Sequence, residues 1–235
     1  MTSSTTRVLT DLLRANGATL GLFWAMLYAL FATIGVIVSA TVGLNESVWV
    51  GSRWWPQFFV LAMGIMVVST QLRIYLANGI LRRDFVLGGI GYGLVVAVVC
   101  GAGTQLGFVV ERAFLNAAGA TPFTGPIDFA ASPLRIASAA LEFTGMYAAY
   151  FFGGLLIAAV FQRAGAVWGI ASIVPALLPA AAVETALWNI GPLPGLADAL
   201  AADPAPIVLA AAVVLVALVI LTGRRLLRDV AVPSK

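Results

Sequence analysis

From Leu20 to Val42 the chain carries no charged residue. About 20 apolar residues in a helix cross the roughly 30 Å hydrocarbon core of a bilayer. Inside that core the backbone must satisfy its own hydrogen bonds, and an uninterrupted run of this length does so as an α-helix. Five more stretches share the character: about Pro56 to Leu76, Phe85 to Phe108, Ile136 to Phe161, Ala164 to Val183 and Pro206 to Thr222. Pro175 and Pro179 interrupt the fifth run, and the sixth is short. Only 10% of the chain is charged, whereas water-soluble domains carry about 25%. Too few polar side chains remain to coat a globule. The expected fold is therefore an all-α, polytopic integral membrane protein with six transmembrane helices, organised as one transmembrane domain over residues 1–235. The first apolar run starts near Thr19 and is too long for the core of a cleavable signal.

Six spans bring both termini to one side. With the termini cytoplasmic, the inner segments hold Arg7, Arg14, Arg73, Arg82, Arg83, Arg163, Arg224, Arg225, Arg228 and Lys235. The outer segments hold Arg53, Arg112 and Arg135, with Glu46, Glu111, Asp128, Glu184, Asp198 and Asp203. Cytoplasmic loops are enriched in Lys and Arg, so ten against three places both termini in the cytoplasm of a bacterial inner membrane. Trp49, Trp54, Trp55 and Trp188 fall at outer boundaries, where an aromatic belt is expected.

Ahead of the first span, Val8, Leu9, Leu12 and Leu13 share one helical face, while Arg7, Asp11 and Arg14 share the opposite one. Asn16-Gly17 supplies a stop signal. The pattern predicts an interfacial helix within residues 1–18, a six-span body over 19–223 and a cytoplasmic tail over 224–235. The outer loop between spans three and four, roughly Val109 to Arg135, is long and rich in Gly and Pro. After Pro179 the segment AAAVETALWNIGPLPGL stays apolar but carries Glu184, Pro192 and Pro194. It reads either as a re-entrant segment before the last helix or as an ordinary loop.

Gly89, Gly93, Ala97, Gly101 and Gln105 recur every four residues in span three. Small residues let helices approach closely in lipid, so this stripe is a packing face. Span four carries Glu142, Gly145, Ala149 and Gly153 on one side and Phe143, Tyr147, Tyr150 and Phe151 on the other. Its small side is expected to face protein. Glu142 is the one acid well inside a span, which invites a functional reading as part of a cargo path or as a proton carrier. It also lies within two turns of Arg135 and can simply pair with it. Gln105 lies near the same depth and is a second candidate for an intramembrane polar path.

Between spans two and three stands YLANGILRRDF, Tyr75 to Phe85. Asn78-Gly79 is suited to a left-handed backbone that ends a helix. Asp84 is placed to cap the next one. Ile80, Leu81, Arg82 and Arg83 make a turn with apolar and basic sides. An Asn-Gly break, an apolar pair, two arginines and an immediate return to the membrane resemble the first cytoplasmic loop of permease subunits of type-2 ATP-binding-cassette exporters. That family also has a basic interfacial helix, six spans and a re-entrant segment before the last span, so the resemblance covers nearly the whole chain. It implies that Asn78, Gly79, Ile80, Leu81, Arg82, Arg83 and Asp84 form a coupling helix. Ile80 and Leu81 would be an apolar plug, and Arg82 and Arg83 polar clamps, docked in a cleft of an ATPase subunit.

No G-x-x-x-x-G-K-[ST] loop occurs in the sequence. ATP and Mg would then act in a separate ATPase, with no cofactor or metal bound by this chain and no catalytic residue in it. The chain has no His, which removes the commonest metal ligand and general base. Its single Cys, Cys100, allows no intrachain disulfide. The partners implied are two ATPase subunits, a second identical or related permease and membrane lipid, with no nucleic acid. The expected cargo is amphipathic or apolar: a drug, a peptide or a lipid. Two other functions fit the residues: a non-transporting membrane interaction or immunity protein, and a proton-coupled secondary transporter using Glu142.

Overall fold

The computed structural model describes residues 4–41, 47–117, 119 and 132–188. Among the described residues the elements are helices: α1 (Ser4–Thr41), α2 (Trp49–Ala77), α3 (Arg82–Ala117) and α4 (Pro133–Trp188). All four are long and apolar enough to cross a membrane. α2 opens with a 3-10 turn, Trp49–Arg53, and contains a π turn, Val67–Gln71.

α4 is two arms, not one rod. Gly165 takes φ 80°, ψ −175°, a conformation outside the helical region that glycine tolerates and L side chains resist. The chain folds back there. The Tyr150 hydroxyl donates to Glu184 at 2.9 Å, a Cβ at Gly153 would touch the Ala176 carbonyl, and one at Gly169 would strike the Phe161 ring. Residues 133–164 and 166–188 are thus antiparallel arms. Pro175 and Pro179 stay inside the second arm without ending it.

The register of the other helices follows from a few contacts. Thr5 bonds Asp84 and Tyr28 bonds the Gly103 carbonyl, so α1 and α3 run parallel. Phe58 meets Tyr150 and Arg73 bonds Gln162, so α2 and the first arm of α4 run parallel. They are in backbone contact where a Cβ at Gly64 would collide with the Phe151 carbonyl and one at Gly154 with that of Leu61. A Cβ at Gly101 would strike Thr144 and one at Gly93 the Phe151 ring, so α3 runs antiparallel to that arm. The first arm is the hub, packed on α2, α3 and the second arm. Phe143, Met146, Tyr147, Ala149, Phe151 and Phe152 are all buried. Both of its sides therefore face protein, where only the small side was expected to.

The span-three stripe is a packing face, as its spacing predicts. Gly89 faces Val67, Gly93 receives Phe151, Ala97 is buried, and Gly101 meets Ala140 and Thr144. On the first arm Gly145 is half-buried, Ala149 is buried, and Gly153 abuts Ala176.

The N-terminal expectation is corrected. α1 runs unbroken through Asn16-Gly17, so residues 4–18 are the first turns of a 38-residue helix rather than a separate element. Asn16 turns its amide back to the Leu12 carbonyl at 2.9 Å, satisfying itself within the helix. The apolar face of Val8 and Leu12 is buried, with Val8 over Gly88 of α3. A 38-residue helix extends about 57 Å, well beyond the hydrocarbon core. α2 starts at Trp49, seven residues before the expected Pro56, and α3 continues to Ala117, into the expected outer loop. The re-entrant expectation is altered over its first part: residues through Trp188, including Glu184, continue the second arm. The rest of that segment, the expected sixth span and the tail with Arg224, Arg225, Arg228 and Lys235 lie outside the described residues.

Candidate functional site

Two regions at opposite ends of the bundle carry the polar chemistry. The first is the turn from α2 to α3. Asn78 caps α2, and Gly79 adopts φ 77°. The Gly79 N–H donates to the Leu76 carbonyl at 3.1 Å and the Ile80 N–H to the Tyr75 carbonyl at 3.1 Å. These two bonds and the left-handed glycine make a Schellman motif, whose usual companion is an apolar contact back onto the helix. Ile80 supplies it by packing against the core with Tyr75 and Leu76.

The motif splits the expected apolar plug. Ile80 folds inward, and Leu81 stands 68% exposed. Only Asn78, Gly79, Ile80 and Leu81 lie between Ala77 and Arg82, so no separate coupling helix forms. Arg82 and Arg83 occupy the first turn of α3, with Arg82 half-buried and Arg83 exposed. Asp84 sits inside that turn rather than before it. Its Oδ1 accepts from the Thr5 hydroxyl at 3.2 Å, and its charge complements the positive pole of α3. On the same end, Arg73 donates to Gln162 beside the Gly165 fold.

At the opposite end the polar groups turn inward. Arg135 grips Glu142 with both guanidinium nitrogens, Nη1 to Oε1 at 2.6 Å and Nη2 to Oε2 at 3.1 Å. The arrangement is a bidentate charge-assisted pair, the stronger kind of polar contact. Glu142 is thereby tied to its own helix, two turns from its partner. Gln105 is buried on α3 beside Thr104, whose hydroxyl shares a 2.7 Å hydrogen bond with the Tyr147 hydroxyl.

Sequence reasoning missed the rest of this region. Arg53, counted with the outer loop, is buried within electrostatic reach of Glu184 and Tyr147, with its guanidinium 4.9 Å above the Trp54 ring. Gln57, a turn further along α2, is completely buried. The signal was present: Arg53, Gln57, Val60 and Gly64 continue one face at helical spacing. Starting the span at Pro56 concealed it.

Trp49 is likewise no belt residue. Its indole N–H donates to the Thr104 carbonyl at 2.9 Å, and the ring lies where a Cβ at Gly107 would collide with it. Trp54 and Trp55 are exposed, as a belt requires, and the Trp188 side chain lies outside the described residues. Glu111 caps the start of α2, accepting from the Trp49 N–H at 2.8 Å and from the Ser47 hydroxyl. Beside this cap, an apolar crevice of about 210 Å³ opens between α1 and α3, lined by Tyr28, Phe31, Val36, Trp49 and Phe114. Among the described residues no cluster of His, Cys, Asp or Glu has the makings of a metal site. Comparison with protein-family profiles, with curated proteins and with solved structures gave no match.

Proposed function

We propose that the chain is the transmembrane permease subunit of an ATP-driven exporter for an amphipathic or apolar cargo. Two copies, or a copy and a related subunit, would pair and re-aim a central cavity by alternating access. Energy would come from two separate ATPase subunits, which carry ATP and Mg. The observation that carries this reading is the Asn78–Leu81 turn. It presents an exposed leucine and the exposed Arg83 on a backbone locked to α2 by two hydrogen bonds and to α1 through Asp84. A short rigid turn between two long helices transmits a push with little loss, because neither the turn nor its junctions can yield independently.

The distribution of arginines supports the orientation. Among the described residues Arg7, Arg14, Arg73, Arg82, Arg83 and Arg163 stand at the end that bears the turn, and Arg53, Arg112 and Arg135 at the other. Six against three supports a cytoplasmic turn and N-terminus. The arms of α4 hold 32 and 23 residues, about 48 and 34 Å of helix, so each is long enough to cross. On this reading the described residues would cross five times, and residues 206–222 would supply the sixth span and return the C-terminus to the cytoplasm.

The test is a pull-down of the chain from its own membranes in mild detergent. A cassette ATPase should accompany the wild-type chain and be lost from the L81D and R83E variants, while both variants remain folded. Labelling settles the side independently. The native Cys100 is buried, so L81C offers one accessible thiol. An impermeant maleimide should reach it only after the membrane is opened. Labelling in intact cells, or wild-type preparations that never hold an ATPase, would end the proposal. In the rival reading as a proton-coupled transporter, the Arg135 clamp would have to open for Glu142 to exchange its proton.

A further inference from the structure

We propose that Arg53, Gln57, Tyr150 and Glu184 form an interior recognition site for an uncharged amide group, with Gln57 as the residue that reads it. The proposal rests on the exporter reading and gives its cargo a chemical class.

Gln57 is the starting point. Its side chain is 0% exposed, and neither its Nε2 nor its Oε1 has a hydrogen-bond partner. A buried amide left in this condition is destabilising, and most buried polar side chains avoid it. In the same bundle Asn16, Thr104, Tyr147 and Trp49 all find partners. Trp24 Nε1, Ser52 Oγ and Tyr92 Oη also lack partners, but among the described residues Gln57 is the buried side chain with two unpartnered polar atoms. Glu184 adds a second open position: Oε2 accepts from Tyr150, while the buried Oε1 has no partner.

The charges select the ligand. Arg53 and Glu184 lie within electrostatic reach of each other, so a cation and an anion already balance inside the site. A charged ligand would add an uncompensated charge to an apolar interior, which is costly. A neutral group that both donates and accepts fits without that penalty. Gln57 offers donors and acceptor sites on one planar amide, which match the C=O and N–H of another amide at once. Glu184 Oε1 is a further acceptor for an N–H. Phe58 stands edge-on to Tyr150 at 6.5 Å, giving the site an apolar border. Hydrophobic molecules bearing amides, apolar peptides above all, carry this combination.

The experiment uses the full chain purified in mild detergent, as wild type, Q57L and Q57M. The probes are N-acetyl-trileucine amide and an analogue with esters in place of its internal amides. Without probe, Q57L should unfold roughly 2–4 °C above wild type, because an apolar side chain of similar volume removes the orphaned amide. Titration calorimetry should show wild type binding the amide probe roughly tenfold or more tightly than either variant does. The ester analogue should bind all three alike. Unfolding of Q57L and Q57M below wild type would make Gln57 a structural residue and overturn the proposal. Failure of wild type to prefer the amide over the ester would overturn the ligand class. ATPase retention by the Q57 variants reports on the exporter reading separately, since Gln57 is at the far end of α2 from the turn.

Discussion

The two ends of this bundle handle polarity in opposite ways. At the arginine-rich end the backbone does the fixing: a left-handed Gly79 and two carbonyls of α2 hold the turn, and charged side chains such as Arg83 reach outward. At the other end side chains do the fixing. Arg135 clamps Glu142, Thr104 meets Tyr147, and Tyr150 crosses to Glu184. A backbone-built end keeps its shape when its exposed side chains change, so it is free to present them to a partner. A side-chain-built end has specificity inside it but is vulnerable to single substitutions.

That contrast can be broken by mutation. The largest stability effect is expected from R135A, which strands a buried carboxylate. Losing one member of a fully buried pair costs about 3–5 kcal/mol, and about 2 kcal/mol is expected here because the Arg135 side chain keeps 27% of its exposure. Restoring apolarity with R135A/E142L should recover most of it. Next comes G79V, which forces a β-branched residue to φ 77° at a cost of about 1–2 kcal/mol. D84N should cost less, roughly 0.5 kcal/mol, by weakening the helix-pole interaction. The smallest stability change belongs to L81D and R83E, near zero, although these are the variants expected to release the ATPase. Unfolding in mixed micelles, followed by helical circular dichroism, ranks these variants. Equal losses for R135A and L81D would erase the distinction between the ends.

Particular residues show what was legible. Asn78-Gly79 marked the end of α2 because an αL cap is a local property, encoded in two residues. The stripe from Gly89 to Gly101 announced a packing face because small side chains at four-residue spacing have no other role in lipid. Asn16-Gly17 carried the same dipeptide as Asn78-Gly79 yet ended nothing. There the burial of Val8 and Leu12 against α3 rewards continuing the helix, and Asn16 bonds its own Leu12 carbonyl. The Arg135–Glu142 pairing was foreseeable from spacing, and the burial of Arg53 from the face it shares with Gln57, Val60 and Gly64. Its approach to Glu184 was not, since that residue comes from the second arm of α4. The turn within α4 was expected near Arg163, and Gly165 is the residue that makes it.

Sequence by itself determined the solvent and the element type. A chain with 61% hydrophobic residues in runs of bilayer length must form helices, because lipid offers the backbone no other hydrogen-bond partner. Tertiary structure alone decided which helix became the hub, which dipeptide broke a helix and which polar side chains went inside. Those outcomes depend on contacts between segments far apart in the chain, where burial against a neighbouring helix outweighs the weak local preferences that a sequence displays.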